Sequence, residues 1–126
     1  MATTPLAHRL MREEAQITHQ DDEIAVALVY AGEGACGDYQ PGDEADRPLL
    51  RLYVTRRTGN AWIELPDASV CTSLAVDDDP DALQAAARYI HAEIRRGLTQ
   101  DRSLRKIAGV LSWLSAADAV RMEAAR

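Results

Sequence analysis

Hydrophobic and polar positions along this chain follow two different periods, and the change between them divides it. Near the middle, Leu50, Leu52 and Val54 alternate with Arg51, Tyr53 and Thr55. That period of two puts one set of side chains on each face of a strand. The triplet Thr58-Gly59-Asn60 follows as a hairpin turn signal, and "AWIEL" reads as the return strand. "EIAVALVYA", from Glu23, is apolar on both faces and predicts a central or well-covered strand. "ASVCTSLAV", from Ala68, predicts a fourth strand.

The helical period takes over after residue 79. Leu83, Ala87, Ile90 and Ile94 recur at three- and four-residue steps. Asp79 suits the N-cap, Pro80 the first helical position, and Asp81 the positive end of the helix dipole. Arg95 and Arg96 close the last turn, and Gly97 is expected to stop it. A second helix is expected over 103–112, with Leu104, Ile107, Val110 and Leu111 as its apolar positions, and a third opens at the capping-box-like "SAAD" of 115–118. At the N-terminus, Leu6, Leu10 and Ile17, with Met11 nearby and Pro5 at the start, predict an amphipathic helix over 5–19. The expectation is one α+β domain over 1–126: an N-terminal helix, a three- to four-stranded antiparallel meander, then two to three C-terminal helices packed on one face.

Charge changes the picture by being uneven. The 126 residues carry a net charge of −6, yet residues 1–81 sum to −10 and residues 82–126 to +4. From Glu13 to Asp46 there are ten acids and no lysine or arginine. Within that stretch, residues 32–48 hold four glycines, two prolines and the acids Glu33, Asp38, Asp43, Glu44 and Asp46, a loop by composition. An acidic total disfavours free electrostatic binding to nucleic acid.

The loop contains the chain's sharpest motif. Gly32, Gly34 and Gly37 spell G-x-G-x-x-G after an apolar run. A dinucleotide loop needs its last glycine to open a helix whose amides meet the pyrophosphate. Here Pro41 and Gly42 interrupt the following residues, and the acids would repel a pyrophosphate. "GEGACGDY" also resembles the glycine-rich loop of protein kinases, but that family needs a following lysine and a D-F-G. This chain has its single lysine at 106 and no phenylalanine. The acidic glycine loop is read as a protein contact, and no cofactor is expected.

Other chemistry is sparse. Asp77, Asp79 and Asp81 alternate as calcium ligands do, but the sixth and twelfth positions hold Ala82 and Arg88 where an EF-hand has Gly and Glu. His8, His19, His91, Cys36 and Cys71 show no short ligand spacing, and no G-x-S-x-G elbow is present. No catalytic or metal-binding residue is assigned. The two cysteines are expected as reduced thiols, and with no transmembrane run or secretory leader read, a cytoplasmic, non-membrane setting is expected. Trp62 and Trp113 are expected to be buried in an aliphatic core, with anchoring of an interface as the alternative.

"SLRKIAGVLSWLSAADAVRMEA" places Leu104, Ile107, Ala108 and Leu111 in an L-x-x-I-A-x-x-L pattern that resembles the first helix of a DNA-reading helix-turn-helix. The resemblance implies a second helix after Ser115 lying in a major groove. Its turn "SWLS" is one residue longer than the family's, and the would-be reading helix offers no Asn, Gln or Lys for base edges.

The leading expectation is a small acidic module that binds another protein with a basic surface. Asp21, Asp22, Glu23, Glu33, Asp38, Asp43, Glu44 and Asp46 form the expected contact. Carboxylates standing where phosphates would lie suit an inhibitor, carried by a phage or mobile element, of a host nuclease or defence protein. The alternative is a DNA-binding regulator using residues 99–124, with Arg95, Arg96, Arg102, Arg105 and Lys106 on nucleic acid, as a homodimer. A small enzyme of unknown chemistry is the third reading.

Overall fold

A computed structural model describes residues 6, 9, 10, 12, 15–30 and 49–125. The described elements run β1 (Ile17–Gln20), β2 (Ile24–Tyr30), β3 (Leu49–Thr58), β4 (Ala61–Glu64), a 3-10 turn at Pro66–Ala68, β5 (Val70–Ala75), α1 (Pro80–Thr99), α2 (Leu104–Leu111) and α3 (Ala116–Ala124). This is an α+β fold with an entirely antiparallel sheet.

The alternation in β3 does what the period predicts. Leu50, Leu52 and Val54 are fully buried, and Ile24, Val26 and Leu28 of β2 join them on the same face. Leu83, Ile90 and Ile94 of α1 cover that face. Gly59 takes φ +65° in the two-residue turn between Thr58 and Ala61, the left-handed conformation that costs glycine least.

Three expectations about the fold are corrected. An N-terminal helix over 5–19 is not borne out: Ile17–Gln20 is a strand, registered so that Ile17 faces Leu28 and Gln20 faces Ala25. Leu6, Arg9 and Leu10 are helical and Leu10 is fully buried, but most of residues 1–14 lie outside the described residues. The short polar turn Asp21–Glu23 makes a hairpin that a helical period cannot register.

The sheet is also not a simple meander. β5 returns to β3, beside β4, so β3 pairs β4 through its second half and β5 through its first. Ten-residue β3 is long enough to serve two shorter strands on one edge.

Gly97, finally, does not stop α1, which continues to Thr99. A Cβ on Gly97 would lie 2.2 Å from Ile107 Cδ1. The glycine is there for the close approach of α1 and α2. The left-handed residue that turns the chain is Asp101, at φ 52°.

Cys71 is disulfide-bonded, which corrects the expectation of reduced thiols for that residue. The only other cysteine, Cys36, lies outside the described residues. Among the described residues no helix is long and apolar enough to cross a membrane.

Candidate functional site

The β1–β2 turn carries three of the expected contact acids. The Asp21 carboxylate accepts hydrogen bonds from the backbone amides of Glu23 (2.8 Å) and Ile24 (2.7 Å), holding the turn closed. Its other oxygen pairs with Arg95 and lies 3.2 Å from His91 Nε2, both from α1. Glu23 pairs with Arg56 of β3 at 2.8 Å. Only Asp22 of the three is exposed. The remaining contact acids, Glu33, Asp38, Asp43, Glu44 and Asp46, lie outside the described residues.

His91 is buried at 7 % exposure. Its Nε2 is 3.2 Å from the Ile24 carbonyl as well as from Asp21. Two acceptors around one nitrogen require that nitrogen to carry the proton. Burial pushes the His91 pKa down and Asp21 only partly offsets it, so the pKa stays below the usual 6.5. For Asp21, burial pulls the pKa up, but the two backbone donors, His91 and Arg95 outweigh it and hold it below the usual 3.8. The His19 ring stands edge-on to His91, centroids 4.8 Å apart. This cluster, which the sequence reading did not assemble, clasps the hairpin to α1. Its separation of about 70 residues along the chain leaves no local signal.

The expected nucleic-acid set divides in the same way. Arg95 is taken by Asp21, and Arg96 by Glu93 at 2.7 Å. Arg102, Arg105 and Lys106 are exposed on the α2 side of the molecule. Arg105 meets Asp67 only at 3.9 Å, with both side chains mostly in solvent, a pairing worth little.

Helices α2 and α3 do form, joined by Ser112–Ser115. The joint is docked on the sheet: the Ser73 amide donates to the Ser112 carbonyl at 2.9 Å, and Ser73 Oγ donates to the Leu114 carbonyl at 2.7 Å. α3 buries Ala119 and turns Ala117, Val120, Arg121 and Ala124 outward. Arg121 is paired with Asp118 at 2.8 Å, and Arg88 of α1 holds Glu123 at 2.9 Å. The would-be reading helix thus presents a largely apolar, charge-matched surface.

The tryptophans correct the expectation of burial. Trp62 is 42 % exposed on edge strand β4, and Trp113 is 82 % exposed beside Val110, itself 75 % exposed. Leu111 and Leu114 turn inward around Trp113 and leave the indole outside. The spacing of apolar residues there is compatible with either arrangement.

The sheet face opposite the helices holds a shallow groove of about 210 Å³ lined by Thr18, Gln20, Ala25, Ala27, Thr55 and Trp62, among others. On this face Arg51 lies over the Tyr53 ring, 5.3 Å from its centroid, and 3.4 Å from Cys71 Sγ. Asp79 caps α1 through the Ala82 amide and Asp78 accepts from the Ala75 amide, so both have helix and turn roles. No group of three or more metal-ligating side chains occurs among the described residues.

No family model matches the chain, and neither a curated protein nor a solved structure matches it.

Proposed function

We propose that the protein is a small binding module whose acidic segment engages a basic surface of another protein. The observation that carries this reading is where the charge excess falls. From Glu13 to Asp46 the chain carries ten acids and no lysine or arginine, whereas residues 82–126 sum to +4. Asp21 and Glu23, by contrast, are engaged by cations of the fold, so the proposed contact narrows to Asp22 with residues 33–46. Such a cluster steers association with a cationic partner and sets its salt dependence. The partner class it suits best is a nucleic-acid-binding surface, such as that of a nuclease or defence protein, where carboxylates replace phosphates. Cytoplasmic placement gains nothing from the structure, and a disulfide at Cys71 favours an oxidising setting.

Affinity capture from cell extract at low and high salt tests this, with duplex DNA added as competitor. A basic protein retained at low salt and displaced by DNA is expected. Replacing Asp38, Asp43 and Asp46 by Asn and Glu44 by Gln should abolish that retention. Retention that survives these changes sinks the reading.

One observation favours a second reading. Arg102, Arg105 and Lys106, before and within α2, and Trp113, two residues after its end, are all exposed. Cations beside an exposed indole suit a single nucleic-acid strand, which stacks on aromatic rings. On this reading a nucleic-acid strand would meet the α2 region, and α3 would not enter a groove. Quenching of Trp113 fluorescence by an oligo-dT strand, lost in Trp113→Ala and at high salt, is the result it requires.

A further inference from the structure

We infer that β4 is a self-association edge: two copies of this chain join β4 to β4, antiparallel, about a two-fold axis at Ile63, and so continue one sheet across both molecules. The inference is independent of the partner and nucleic-acid readings and holds whether or not either survives.

The two edges of the sheet differ. β1 at one edge exposes the polar Thr18 and Gln20. β4 forms the other edge and pairs only with β3 among the described residues. All four of its residues are exposed, Trp62 at 42 % and Ile63 at 52 %. An edge strand with apolar side chains and unpaired backbone groups is a template for another strand.

Backbone direction decides which groups are open. The Leu65 amide donates to the Val54 carbonyl at 2.8 Å, so Leu65 turns toward β3. Direction alternates along an antiparallel strand, so Ala61 and Ile63 also turn toward β3, and Trp62 and Glu64 turn outward. Side chains alternate too. Trp62 pairs with Arg57 and Glu64 with Thr55, on the face away from the buried Leu50, Leu52 and Val54, while Ile63 pairs with Arg56 on the helix side.

A two-fold that continues the sheet keeps each face continuous, so residues that meet must share a face. Ile63 set against Ile63 of the second copy satisfies this, and it places each Trp62 opposite Glu64 of the other copy. These are the outward-turned residues, so each such pair exchanges both its backbone hydrogen bonds. The two Ile63 side chains meet at a close, non-hydrogen-bonded position, and the two indoles become diagonal neighbours within aromatic reach. Pro66, which has no amide to donate, ends the ladder just beyond.

Charge selects a second copy over an unrelated strand. Among the described residues Arg57 donates to the Gly59 carbonyl at 3.0 Å and meets no carboxylate, and Glu64 meets no cation. In the joined sheet, Arg57, Trp62 and Glu64 of the second copy follow one another across the open face. Arg57 and that glutamate stand two strand spacings apart, about 10 Å, within joint reach of their side chains on either side of the indole. The two-fold repeats the row, so both copies gain the pairing that each leaves unmade alone. Four residues a side bury far less than the roughly 1,200 Å² of a standard interface. The dimer is therefore weak and set by concentration.

Sedimentation equilibrium of the full chain in low-salt buffer, from about 10 µM to about 1 mM, covers that range of affinity. The average mass is expected to climb from monomer toward dimer. A mass that stays monomeric overturns the inference, and so does one that climbs past the dimer without limit. A charge swap tests the register. Arg57→Glu and Glu64→Arg each set like charges across the two-fold, and each alone should weaken self-association about tenfold or more. Mixed in equal amounts, the two variants should dimerise with each other at wild-type strength, because both rows are again opposite in sign. Both positions are exposed, and thermal midpoints matching wild type identify folded variants. Either variant associating alone at wild-type strength, or a mixture no stronger than its components, overturns the inference.

Discussion

The hairpin clasp and the outer side of α2 use the same residue types to opposite ends. At the clasp, Asp21, Glu23, Arg56, His91 and Arg95 pair with one another and with backbone amides. On and beside α2, Arg102, Lys106, Val110 and Trp113 are left to solvent, and Arg105 meets only Asp67, at 3.9 Å. Charges that meet partners across strands and helices hold the fold together. Charges and an indole without such partners are what a second molecule can use. The difference lies in long-range neighbours, not in the side chains.

Substitutions can break this comparison, and the largest expected effect is on the inner side of α2. Ile107 is buried against Gly97 of α1, so Ile107→Ala should cost about 3 kcal/mol by lost burial and the cavity left. Urea denaturation reads this directly, and a cost under about 1 kcal/mol would mean that α2 is not part of the cooperative core. Next comes the clasp. Asp21→Ala removes a charged acceptor from two amides, a histidine and an arginine. The expected cost is about 2 kcal/mol, tempered by the partial exposure of the carboxylate. Asp21→Asn should recover part of it, because the amide oxygen still accepts from the backbone.

Acidification weakens the clasp from both sides. The folded state holds the His91 pKa below 6.5, so the unfolded chain binds that proton more readily. Stability contributed by neutral His91 is complete above about 6.5 and falls as pH drops through and below that value. Asp21, held below 3.8, adds a further loss as pH falls under 3.8. Thermal midpoints from pH 8 to pH 3 should decline in that order, and His91→Gln should flatten the first part of the decline. The smallest expected effect on stability is at Trp113→Ala, within about 0.5 kcal/mol, as for exposed positions elsewhere. A loss beyond 1.5 kcal/mol would show that the indole packs within the fold and is not a surface for partners.

Much of the architecture was legible because it depends on local periodicity and on caps. The alternation of β3, the Gly59 turn, the Asp79 cap with Pro80, and the Ser115 cap that accepts from the Asp118 amide all follow from neighbours within four residues. The first strand was misread because Leu6, Leu10 and Ile17 satisfy a helical spacing that Asp21–Glu23 then breaks. Gly97 was misread as a stop because the residue it makes room for, Ile107, lies on another helix. Of the expected contact acids, Asp21 and Glu23 meet Arg95 and Arg56 of the fold, pairings with no local signal because those arginines lie far away in sequence.

The sequence by itself determined the element types, the buried and solvent-facing sides of β3, and the concentration of acid between Glu13 and Asp46. Those properties are set by composition and by interactions a few residues long. Only the tertiary structure decided that β5 returns to β3, that His91 and Arg95 close on Asp21, that Trp113 stands in solvent, and that Cys71 faces away from the helices. Each of these is a pairing between distant residues. Its free energy comes from burying apolar faces together, and a one-dimensional pattern does not record which faces will meet.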